Sequence, residues 1–93
     1  METETKTVSV KYLVTNQIID IDIEINKKVK DLKAKIEELF KIKLINKLMI
    51  QRKGKRKPTN LNEEDITIKE ARIHNGDKIT IAKTDVLGGS NKY

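Results

Sequence analysis

The amino-acid sequence predicts an α+β fold, in which a mixed sheet of four to five strands wraps around one helix. Three observations predict it. Apolar residues alternate strictly in two stretches near the amino terminus, recur at spacings of three and four in the next stretch, and alternate again near the carboxyl terminus. With 93 residues the chain is long enough for one small domain with its own core.

The first two strands are predicted from alternation. Between residues 7 and 14, Val8, Val10 and Tyr12 share one face. After a short polar turn at residues 15–17 the alternation resumes, which indicates an antiparallel hairpin. In this second strand, isoleucines at Ile19, Ile21, Ile23 and Ile25 face one side, and acidic residues at Asp20, Asp22 and Glu24 face the other.

One helix is predicted from Val29 onward, because the apolar residues now lie on a single helical stripe. The residues of the stripe are Val29, Leu32, Ile36, Leu39 and Phe40. Asn26 is the expected N-cap. The helix is expected to run for about four turns.

The second half of the sequence predicts two or three further strands. Residues 44–51 are expected to form a loop that enters a third strand, and residues 52–58 a basic turn. Residues 60–62 are expected to pair briefly as a fourth strand. Asn75-Gly76-Asp77 predicts a turn into a last strand at residues 78–82. Buried side chains of this half are expected at Ile66, Ile68, Ala71, Ile73, Ile79 and Ile81.

These patterns predict three parts of the chain. Residues 1–6 are expected to be a flexible polar extension, residues 7–83 the folded domain, and residues 84–93 a flexible tail. The tail contains the pair Gly88-Gly89 and four further residues, 90–93.

The composition of the chain restricts the kinds of site it can form and indicates its location in the cell. The chain has no cysteine, which excludes disulfides, thiolate metal sites and a thiol nucleophile. No apolar run reaches membrane-spanning length, and residues 1–6 lack the apolar segment of a secretion signal. A monomer located in the cytoplasm, with no membrane partner, is therefore expected. The formal net charge of +6 favours acidic partners.

The predicted order of elements is that of the β-grasp fold, with the first and last strands parallel at the centre of the sheet. From Val8 to Gly89 the chain resembles ubiquitin and its relatives. Lys33-Ala34-Lys35-Ile36 matches a segment of the ubiquitin helix letter for letter. Residues 47–50 lie where the family has its third strand, residues 75–81 where it has its final turn and strand, and Gly88-Gly89 where it has its diglycine.

The resemblance implies a protein modifier without catalytic residues, metal or cofactor of its own. An activating enzyme would adenylate the carboxylate of Gly89 with ATP, and a conjugating enzyme would transfer it to lysines of target proteins. Gly88 and Gly89 have no Cβ, so the enzymes can close around the backbone. Because Gly89 is bonded to Ser90, the chain would be a precursor, and a processing protease of cysteine or zinc type would first remove residues 90–93.

The resemblance also implies a partner-binding surface. Val14 or Thr15, together with Met49 and Ala82, lies where ubiquitin has its apolar patch, and Asp85 and Leu87 precede the diglycine. The small alanine is expected to weaken binding of standard ubiquitin readers. Asp85 replaces a basic residue of ubiquitin, so a dedicated activating enzyme is expected. Three lysines with ubiquitin counterparts are candidates for chain linkage: Lys33, Lys35 and Lys55. In a chain this rich in lysine, each of them is better explained as a solvated side chain.

Other functions stay open at this point. A β-grasp sulfur carrier would also be activated at the carboxylate of Gly89, which would then become a thiocarboxylate. A non-conjugated interaction domain would contain the diglycine by coincidence. Nucleic-acid binding by the basic turn is disfavoured, because the chain has only three aromatic residues and so lacks a stacking platform. His74 has no second histidine or cysteine with which to form a metal site.

Overall fold

A computed structural model describes residues 4–87, which form one mixed sheet and one helix. The elements are β1 (Thr5–Tyr12), β2 (Gln17–Glu24), α1 (Val29–Phe40), β3 (Met49–Gln51), β4 (Thr59–Asn60), β5 (Lys78–Ile81) and a 3₁₀ turn (Lys83–Asp85). The strand order is β2-β1-β5-β3-β4. The central pair β1·β5 is parallel, and the other three pairs are antiparallel. The predicted β-grasp arrangement is confirmed.

The core lies between the inner face of the sheet and α1. Val10 pairs with Ile79 across the central parallel strands, and Ile79 pairs with Ile50 of β3, so one apolar row crosses three strands. All three side chains are completely buried. Tyr12 and Phe40 close the core at the end of α1, with their rings edge to face at 6.2 Å.

Two expectations about the helix are wrong. The N-cap is Lys28 rather than Asn26, because the carboxylate of Asp31 accepts a hydrogen bond from the backbone N–H of Lys28 at 2.9 Å. Leu39 is exposed, although the spacing placed it on the buried stripe. It lies in the last turn, and the helix ends one residue later at Phe40, before Lys41 adopts a left-handed conformation with φ of 57°.

Strand boundaries also differ from the expectations. The first strand is Thr5–Tyr12, because the chain turns at residues 13–16, and the fourth is Thr59–Asn60. Leu61, expected in the fourth strand, is instead a buried core residue whose N–H bonds to the carbonyl of Leu48 at 2.8 Å. Between β4 and β5, three of the expected apolar residues are buried and a fourth, Ile66, is partly buried. The three are Ile68, Ala71 and Ile73.

Within residues 4–87, no helix is both long enough and apolar enough to span a bilayer.

Candidate functional site

The chain does not leave the domain at the end of β5. It passes through the 3₁₀ turn and returns to the loop before β3, where the N–H of Ile45 donates to the carbonyl of Asp85 at 2.9 Å and the N–H of Leu87 donates to the carbonyl of Lys43 at 2.8 Å. Between these bonds Val86 forms a β-bridge with Leu44 and is only 7% exposed. We call residues 83–87 the docked segment.

The side chain of Asp85 holds the docked segment in place. One carboxylate oxygen accepts a hydrogen bond from the N–H of Ala82 at 2.9 Å, and the other from the side-chain amide of Asn46 at 2.7 Å. The carboxylate predicted to select an activating enzyme is therefore already engaged within the chain.

The docked segment extends the folded part four residues beyond the boundary at residue 83 that the sequence predicted. A buried apolar side chain and two backbone hydrogen bonds to another loop account for the difference. Gly88, Gly89 and Ser90 lie outside the described residues. Covalent geometry alone limits Gly88-Gly89 to a reach of about 7 Å beyond Leu87.

The residues predicted as a partner-binding surface lie around the carboxyl end of β5. The N–H of Leu13, at the start of the β1–β2 turn, bonds to the carbonyl of Ile81 at 2.9 Å, which brings Val14 and the partly buried Ala82 into the same region. The register of β3 against β5 places Met49 next to Thr80. Val14, Met49 and Leu87 are exposed by 50%, 44% and 60%.

Two exposed apolar residues that the sequence analysis did not single out adjoin the same region. Leu13 belongs to the β1–β2 turn, and Ile45 lies beside the docked segment. Residues in turns and loops follow no regular apolar pattern, so the sequence does not show which surface their side chains join, whereas the fold does. We define the apolar end surface by five exposed residues: Leu13, Val14, Ile45, Met49 and Leu87.

The rest of the outer sheet face is mainly polar. Thr7 donates to Asp22 at 2.6 Å, and Ser9 donates to Asp20 at 2.7 Å, so threonine, serine and aspartate side chains satisfy one another across β1 and β2. Ile18, opposite Lys11 on the edge strand, is the exception at 60% exposure. The outer face of β1 and β2 is therefore polar apart from Ile18, and it borders the exposed apolar residues around the end of β5.

The three candidate linkage lysines differ in their surroundings. Lys33 is paired with Glu64 at 3.1 Å and is 18% exposed, so its ammonium is largely covered. Lys35 donates to the carbonyl of Asp22 at 3.0 Å but remains exposed. Lys55, in the β3–β4 connection, is exposed and forms no ion pair within residues 4–87.

His74 lies on the surface, as expected of a lone histidine in a loop, and its backbone N–H donates to Asp77. In the part of the chain that the structure describes, no three His, Asp or Glu side chains are grouped so that they could hold a metal ion.

The similar proteins are ubiquitin-like domains of known structure. A domain of tubulin-binding cofactor B superposes with a TM-score of 0.78 over 95% of this chain and 97% of that chain, at 18% sequence identity. The C-terminal domain of mouse tubulin-specific chaperone e gives 0.71 over 88% and 89%, at 16% identity. An Arabidopsis thaliana domain gives 0.61 over 83% and 74%, at 18% identity.

The fold is a ubiquitin-like β-grasp. Identities this low establish the fold alone. No protein-family model and no curated protein sequence matches the chain.

Proposed function

We propose that this chain acts as a ubiquitin-like interaction domain, which binds partner proteins through the apolar end surface and is not itself conjugated. The docked segment is the observation that carries the proposal. A conjugated tail has to extend into the narrow channel of an activating enzyme. Here the fold holds the chain through Leu87, and Gly88-Gly89 adds only about 7 Å of reach.

The apolar end surface has the properties of a protein-binding site. Grouped exposed apolar side chains on a small domain mark contact surfaces more often than single ones do. Met49 is unbranched and adapts to different partners. The docked segment contributes Leu87 and fixes the loop that presents Ile45, so its packing also shapes the surface.

Two of the similar structures support this choice. In them the same fold is a domain of a tubulin-specific chaperone or of a tubulin-binding cofactor. A role as an interaction domain therefore fits this chain at least as well as a role as a free modifier.

Replacement of the gene in its source cell tests the proposal. A chain that ends at Leu87 keeps the whole docked segment but lacks the diglycine, and we expect it to retain the partners and the phenotype of the unmodified protein. Met49→Glu should lose both, because it introduces a charge into the apolar end surface. Ile18→Glu is the matched control, since Ile18 is also apolar and exposed but lies on the edge strand β2, with β1 and β5 between it and Met49 of β3. Loss of function on truncation, together with a neutral Met49→Glu, would contradict the proposal.

A conjugated modifier is the second candidate, and Gly88-Gly89 followed by Ser90 is the observation that favours it. Here a protease would cleave after Gly89, and an activating enzyme would adenylate the new carboxylate. The intact mass of the protein from its own cell should then correspond to a chain ending at Gly89, and Gly89→Ala should abolish adducts on target lysines. A sulfur-for-oxygen mass increment at the same terminus would instead indicate a sulfur carrier.

A further inference from the structure

A cleft of about 630 Å³ lies near the amino end of β5, between the β3–β4 connection and the loop that precedes β5. Lys53 and Lys55 line one wall, and Arg72 and His74 line the other. A second cleft of about 490 Å³ adjoins it and extends to Lys78. Both volumes fall in the range of roughly 300–1,000 Å³ that is typical of ligand sites. We call the two together the basic cleft; it is at the opposite end of β5 from the apolar end surface.

Two side chains join the walls of the basic cleft. The guanidinium of Arg52 donates to the carbonyl of Ala71 at 2.9 Å and to that of Arg72. Asp77, only 1% exposed, accepts hydrogen bonds from the backbone N–H groups of His74 at 2.9 Å and Lys53 at 3.3 Å. The cleft is therefore formed before any partner binds, which lowers the ordering cost of binding.

The charge that remains in the cleft is positive. Asp77 lies 3.9 Å from the guanidinium of Arg52 and offsets its charge. At the rim, the carboxylate of Glu70 is engaged by the N–H and hydroxyl of Thr67, which hold its pKa below the ordinary value. Lysines of α1, in contrast, pair with acidic residues 64–65. The cations of the basic cleft that form no ion pair within residues 4–87 are Lys53, Lys55, Arg72 and Lys78.

We propose that the basic cleft binds an extended acidic segment of a partner protein, with three or more aspartate or glutamate side chains. Lys53 and Lys55 line both adjoining clefts, Arg72 lines the first and Lys78 lines the second. Cations spread over two clefts match several carboxylates in a row better than one small anion. A concave surface of one sign concentrates the potential that attracts such a segment. This site is independent of the apolar end surface and goes beyond the function proposed above.

Two other occupants fit the cleft less well. A nucleic acid would gain little from base stacking, because no Phe, Tyr or Trp side chain lines either cleft. A second copy of this chain could offer two acidic stretches, the outer row of β2 and residues 63–65, but both are already engaged. Asp20 and Asp22 accept hydrogen bonds from Ser9 and Thr7. Glu64 and Asp65 pair with lysines of α1.

The test is a titration of the full chain with a fluorescein-labelled peptide of eight glutamates, followed by fluorescence anisotropy and by NMR of the backbone amides. Shifts are expected at residues 53–55 and 72–78, and the affinity should fall as sodium chloride is raised from about 50 to 300 mM. Lys53→Glu/Lys55→Glu should weaken binding at least about tenfold. The matched pair Lys27→Glu/Lys43→Glu changes the net charge equally at exposed positions outside the cleft, and should change the affinity less than about twofold.

Equal losses in both double variants would show attraction by net charge alone and overturn the proposal. It would also be overturned if a single-stranded octanucleotide bound the cleft more tightly than the peptide. A concentration-dependent dimer in sedimentation, abolished by Lys53→Glu/Lys55→Glu only, would assign the cleft to self-association instead. The free energy of unfolding of each variant is compared with that of the unmodified chain to confirm that the variant is folded. No loss is expected, because the side chains of Lys53 and Lys55 form no hydrogen bond in the described structure.

Discussion

Val86→Ala tests whether the docked segment is part of the fold. The substitution removes two methyl groups from a side chain that is only 7% exposed and belongs to the core. At about 0.8 kcal/mol for each buried carbon, the transfer loss is about 1.6 kcal/mol, and incomplete closure of the cavity adds to it. We expect the free energy of unfolding to fall by about 1.5–2 kcal/mol and Tm by roughly 5–15 °C.

Denaturant unfolding and amide hydrogen exchange provide the assay. The N–H groups of Ile45 and Leu87 bond to the carbonyls of Asp85 and Lys43, so both should be protected in the unmodified protein. In Val86→Ala their exchange should accelerate about tenfold or more, since 1.4 kcal/mol corresponds to a factor of ten.

Val14→Ala is the matched control. It is the same chemical change at a side chain that is 50% exposed, and its cost should stay below about 0.5 kcal/mol. Equal stability of Val86→Ala and Val14→Ala, with both amides exchanging at unfolded-peptide rates in the unmodified protein, would refute the docked segment and the interaction-domain proposal that depends on it.

Three further predictions concern the loops around β5. Asp77→Ala leaves two backbone N–H groups without their acceptor and should cost about 2–4 kcal/mol in urea unfolding, whereas Asp20→Ala, on the exposed sheet face, should cost less than about 1 kcal/mol. Gly76→Ala should cost about 1–2 kcal/mol by the same measurement, because φ is 89° and the added Cβ meets no atom within 4 Å, so that only backbone strain remains. The hydrogen bonds from Thr67 lower the pKa of Glu70 from 4.5. The ionised carboxylate of Glu70 therefore adds stability above about pH 4.5, and this stability is lost as the pH falls through the lowered pKa. Glu70→Gln should remove this part of the pH dependence of the free energy of unfolding.

Alternation and helical spacing predicted most of the fold, because burial on one face imposes both patterns. Val8 and Val10, which alternate in β1, are completely buried, and Leu32 and Ile36 on the helical stripe are too. The parallel pairing of the first and last strands followed from the order of elements. Leu39 was misassigned because spacing does not show where the core ends along the helix axis.

Two features of the sites were not accessible to pattern analysis, because they depend on partners far away in the chain. Val86 is buried by its bridge to Leu44, and no periodicity surrounds it. Asp77 was predicted as a turn residue. Its near-complete burial becomes apparent only when Lys53, in another loop, is placed against it.

The docked segment changes the weight of the diglycine as evidence. In the sequence, Gly88-Gly89 follows a stretch without periodicity, which favours a free tail and hence a conjugation substrate. In the structure, the same stretch contributes Val86 to the core and Asp85 to hydrogen bonds with Ala82 and Asn46. For the tail to extend far beyond the domain, residues 83–87 would have to leave this packing, and exposing the two methyl groups of Val86 alone costs about 1.6 kcal/mol. A conjugating role therefore predicts that weakening the docked segment increases processing after Gly89, whereas an interaction domain predicts that the same change impairs partner binding.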